Sequence, residues 1–156
     1  MSRPAQTFTF DGTDLAAVVD TMGALVDARA GWINVTPAEA EPAPPTSVWG
    51  RISGRGPDVP RITWTAPAER RGKVEPAQLG IEHPAGGKSV QQLAEAGLPL
   101  PAGWLRSQDH PMRGLVVVPA TDAEPGDVLR WALDAVEVLT GWPADGRWRA
   151  QVFGTD

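Results

Sequence analysis

Glu82-His83-Pro84-Ala85-Gly86-Gly87 and Asp109-His110-Pro111-Met112-Arg113-Gly114 share one pattern, acidic–His–Pro–x–x–Gly, and hold the only two histidines of this 156-residue chain. Imidazole titrates near neutral pH, and imidazole with carboxylate is a common donor set for divalent metals. If the two turns met in space, His83, His110, Glu82 and Asp109 would suit a metal ion or general acid–base work. The same pattern is also turn grammar. Proline pushes the residue before it out of the helical region, and glycine completes a turn. In a strand, moreover, an acid and the histidine beside it point to opposite faces. A pair of structural turns is therefore the first expectation, and a site the second.

Two further constellations are weaker. Pro84-Ala85-Gly86-Gly87-Lys88-Ser89 ends like a phosphate-binding loop, but that loop needs glycine at position 82, where Glu82 stands, and no dinucleotide-type glycine spacing is present. Ser89-Val90-Gln91-Gln92 reads instead as a capping box opening a short helix. Ser107, Asp109 and His110 supply nucleophile, acid and base types, yet triads draw their members from separate elements, and no nucleophile-elbow sequence occurs.

The third set is aromatic and cationic. Trp49 and Trp64 alternate with Arg51 and Arg61, and Trp104 lies in a Pro/Gly loop before Arg106. Tryptophan and arginine are favoured where binding energy concentrates. These six residues are the expected ligand-binding surface. Trp131 is expected in the core.

Composition narrows the classes. The chain has no cysteine, which excludes disulfides and thiolate chemistry. Its net charge is −5, although Arg51, Arg55, Arg61, Arg70, Arg71 and Lys73 face only Asp58 and Glu69 in their segment. An acidic chain does not suit general nucleic-acid binding, which rests on neutralised phosphates. No signal-type segment and no apolar run near 18 residues stand out. A soluble, cytoplasmic protein without membrane contact is expected, with no resident cofactor unless the histidine turns hold a divalent metal. The length suits one domain, residues 1–156, with a Pro-rich loop at 36–46. A homodimer stays open.

The elements that must position these residues follow from periodicity. Leu15, Val18, Val19, Met22, Leu25 and Val26 keep helical spacing up to Gly31, and Gly23 inside that helix predicts a close backbone approach. Val128 to Leu139 covers about 220° of a helical wheel with apolar residues, more than the ~100° of a surface helix. That helix is expected to start with Asp127 as its N-cap and stop at Gly141. Leu115-Val116-Val117-Val118 reads as a central strand. Residues 7–10, 32–35, 48–52, 61–66, 78–83 and 147–153 read as further strands. The expected fold is α+β: a mixed, largely antiparallel sheet of about five to six strands, with three helices mainly on one face. The expected function is a non-catalytic binding module that recognises a protein segment or a small molecule through the Trp/Arg surface. The alternative is a metal-dependent or acid–base enzyme that uses the paired turns.

Overall fold

Alternating apolar residues demand a surface to cover them, and here they line one face of a single large sheet. The computed structural model describes residues 4–40 and 59–154. In chain order the elements are β1 (Gln6–Asp11), α1 (Ala16–Ala28), β2 (Trp32–Pro37), β3 (Arg61–Thr65), β4 (Ala68–Arg70), β5 (Lys73–Glu75), β6 (Gln78–Glu82), α2 (Ser89–Glu95), β7 (Leu105–His110), β8 (Gly114–Val118), α3 (Pro125–Thr140) and β9 (Arg147–Phe153). Among the described residues seven strands form the sheet in the order β1-β9-β2-β3-β6-β8-β7, and β4 and β5 make a separate hairpin. Every described pairing is antiparallel. The α+β expectation holds, with more strands than the sequence suggested. β8 and β9 run in the same direction, but β2, β3 and β6 lie between them.

Register explains the core. Val152, Ile33, Trp64, Leu79 and Val117 lie side by side across five strands, all buried. The next row runs Phe8, Ala150, Val35, Ile62, Ile81, Leu115 and Asp109. Each large side chain buried in such rows contributes about 1.5–3 kcal/mol. The helices cover this face. α3 packs against α1, α2 and β6, and it buries eight residues including Trp131, Leu133 and Val136. That contact on several sides is why its apolar arc is so broad.

Several local expectations need correction. α3 starts at Pro125 after Glu124, so Asp127 lies in the first turn rather than at the cap. There it still favours the helix dipole. α1 ends before Gly31: Arg29 takes the left-handed conformation, and its guanidinium reaches Glu69 at 2.7 Å. Ser89 is the first residue of α2 and forms no capping box. β2 runs through Thr36 and Pro37, the first two residues of the expected loop. The rest of that loop beyond residue 40 and the expected strand at 48–52 lie outside the described residues.

Candidate functional site

The two histidine turns use the same local bond. The Nδ1 of His83 accepts the backbone N–H of Ala85 at 3.0 Å. The Nδ1 of His110 accepts the N–H groups of Met112 at 3.1 Å and Arg113 at 3.2 Å. In both, the imidazole satisfies a donor two residues on, the job that an Asn or Asp side chain does in ordinary turns. Gly114 then enters β8 at φ +85°, and a side chain there would collide with the Ile81 carbonyl.

The turns are out of phase. Ile81 faces the core, so Glu82 points outward, where Arg61 meets it at 2.6 Å, and His83 points inward, fully buried. On β7 it is Asp109 that faces inward, beside buried Leu115, and His110 that points outward. The four side chains are thus divided between the two faces of the sheet. Among the described residues no group of three or more His, Asp or Glu side chains gathers as a metal site.

The inward pair is held tightly. Asp109 accepts the hydroxyl of Ser89 at 2.5 Å and the N–H of Val90 at 3.2 Å, so a carboxylate from β7 caps α2. This is why Ser89 does not cap its own helix: it donates to Asp109, while Gln92 reaches back to the carbonyls of Ala85 and Gly87. Burial lowers the His83 pKa below its ordinary value, and the Asp109 charge offsets this in part. Because Nδ1 accepts a bond, the neutral ring carries its proton on Nε2, which is buried without a partner among the described residues. Asp109 turns to Ser89 and His110 to its own turn, so neither is engaged with Ser107.

The Trp/Arg set is dispersed. Trp64 is buried in β3, and Trp104 is buried against Trp131, with ring centroids 5.3 Å apart. Trp131 donates its indole N–H to the Pro99 carbonyl at 3.3 Å. Arg61 is tied to Glu82 on the other face of the sheet, and Arg106 is exposed on the edge strand β7. Trp49 and Arg51 lie outside the described residues.

What the two buried tryptophans do reach is a pair of clefts. The first, of about 480 Å³, opens between α1, the end of β3, the β4–β5 hairpin and the loop from β8 to α3. Its lining includes Gly23 and Val26 of α1, Trp64, Val74, and the rigid corners Pro67, Pro76, Pro119 and Pro125. Asp27 and Thr121 are its polar members besides backbone. Val74 is 68% exposed, a large apolar side chain held at the cleft by the hairpin. The second cleft, of about 370 Å³, is lined by Leu98, Pro101, Trp104 and Trp131, with Asp122, Asp127, Arg130 and Asp134.

Gly23 corrects an expectation. No backbone approaches it: a Cβ built there would meet nothing within 4 Å. Glycine inside a helix costs about 1 kcal/mol against alanine. The space it leaves belongs to the first cleft. Sequence reasoning flagged Gly23 but assigned it to packing. The cleft itself had no linear signal, because its walls come from four separated segments of mostly small or apolar residues.

No protein-family model, curated protein or solved structure matches this chain.

Proposed function

We propose that this chain is a non-catalytic binding module of the cytoplasm, and that it takes an apolar ligand group in the cleft beside α1. The observation that carries this reading is Gly23, which costs helix stability although a Cβ there would meet nothing within 4 Å, and which lines the cleft. A volume of about 480 Å³ is within the usual range for ligand pockets. Proline corners make the walls stiff, so little ordering entropy opposes binding. The Trp/Arg surface becomes a cleft in this reading, with Trp64 as wall and the arginines elsewhere. The catalytic alternative gains no support from the histidines, each of which spends its Nδ1 on its own turn. A net charge of −5 disfavours phosphate-backbone partners.

Nile red, a neutral apolar dye, tests the cleft. Its emission rises in the presence of the native protein. Gly23→Leu fills the space with a better helix former and weakens dye binding by about tenfold, a loss near 1.4 kcal/mol. Equal dye binding by Gly23→Leu and the native chain rejects the reading.

A further inference from the structure

The two clefts are neighbours across one turn. Ala120 and Ala123 line both. They flank a tight turn, closed where the Ala123 N–H donates to the Ala120 carbonyl at 2.9 Å. Each contributes only a methyl to the boundary between the clefts, and the residues at the tip of the turn are divided, Thr121 lining the first cleft and Asp122 the second. A compact molecule occupies one side of that boundary, whereas an extended chain crosses it.

The lining is also one-sided in charge. Asp27 stands at the first cleft, and Asp122, Asp127 and Asp134 at the second. Among the described lining residues Arg130 is the only cation, and it is already engaged: its guanidinium donates to the Gly12 carbonyl and stands 3.8 Å from Asp134. Asp27, Asp122 and Asp127 have no ion-pair partner among the described residues. Partial burial raises the Asp134 pKa, with Arg130 offsetting this and Glu137 adding to it.

We propose that the groove formed by the two clefts binds an extended basic–apolar peptide segment of a partner protein. One apolar side chain enters each cleft, and arginine or lysine between them meets the acidic rim. This rests on the binding reading above and names its ligand. Charge complementarity selects the partner and the apolar pockets supply contact area, the usual division of labour at such surfaces. An acidic apolar segment would meet like charges and be rejected.

The test uses the whole chain and three synthetic peptides of about nine residues, each spanning roughly 30 Å when extended. The first places arginines between two leucines. The second replaces every arginine by glutamate, and the third replaces both leucines by serine. Calorimetry is expected to show binding of the first, with displacement of Nile red, and at least about tenfold weaker binding of the other two. Asp122→Lys with Asp134→Lys weakens the arginine peptide about tenfold and strengthens the glutamate peptide. Circular dichroism and an unchanged Nile red signal show that this double variant is folded. Equal affinity for the arginine and glutamate peptides overturns the proposal. So does the absence of all peptide binding while Nile red still depends on Gly23, and in that case the cleft remains a site for a compact molecule. Loss of the Gly23 dependence itself removes the cleft reading first, so the two failures are distinct.

Discussion

The turns at His83 and His110 are built from the same six-residue pattern and the same imidazole bond, yet one histidine is fully buried and the other, on the outer side, is only half-buried. The difference is phase. β6 reaches its turn with Ile81 inward, so the histidine follows inward two residues later. β7 places Asp109 inward, so the histidine falls outside. A local motif fixes the shape of the turn, and the strand behind it decides which member is desolvated. Each turn thus contributes one group to the interior: an imidazole from the first and a carboxylate from the second.

The contrast is sharpest at the carboxylates. Asp109→Ala removes the acceptor for buried Ser89 and for the start of α2, and costs about 2–4 kcal/mol of folding stability. Glu82→Ala loses a partly exposed ion pair with Arg61 and costs about 0–1 kcal/mol. Urea denaturation of the two variants measures both; similar losses would dissolve the distinction between inner and outer positions. The histidines come next. His83→Ala leaves a cavity and frees the Ala85 N–H, and costs about 2–3 kcal/mol. His110→Ala costs about 0.5–1 kcal/mol, since water can replace its acceptor. Melting temperatures should separate by several degrees, at about 2–4 °C per kcal/mol for a chain of this size.

The smallest effect is in pH. Burial depresses the His83 pKa in the folded state, so the unfolded chain binds more protons as pH falls below the ordinary histidine value near 6.5. This contribution to stability is complete above that value and declines as pH falls through it toward the depressed folded value. Between pH 7.5 and 5.5 the native melting temperature should fall. In His83→Gln, whose side-chain oxygen can still accept the Ala85 N–H, the fall should be shallower. An unchanged slope in His83→Gln means that His83 is not the group responsible.

Much of the fold was legible in the sequence because most strands carry their own periodicity. Ile62 and Trp64, Leu79 and Ile81, and Trp148, Ala150 and Val152 alternate cleanly, and each set is buried. The alternation through β6 also placed His83 inward. β7 was missed because Leu-Arg-Ser-Gln-Asp-His has no apolar alternation. Its inward residue in the row with Ile81 and Leu115 is Asp109, and its register slips between Arg106 and Gln108. The phase of the second turn was therefore hidden. The β4–β5 hairpin has arms of only three residues around Arg71-Gly72, too short to show a period. The clefts depend on where elements distant in the chain come to rest, and composition carries no trace of that.

The position of β9 has a consequence for synthesis. The first two strands do not pair with each other; the last strand sits between them, bonded to both. As the chain emerges from the ribosome, β1 and β2 are complete while their shared neighbour is still more than a hundred residues away. Contacts so remote in sequence form slowly, and open strand edges exposed in the meantime invite wrong pairing. Thr7, Thr9, Asn34 and Thr36 alternate with the apolar residues of those two strands, so neither waiting strand is a continuous apolar run.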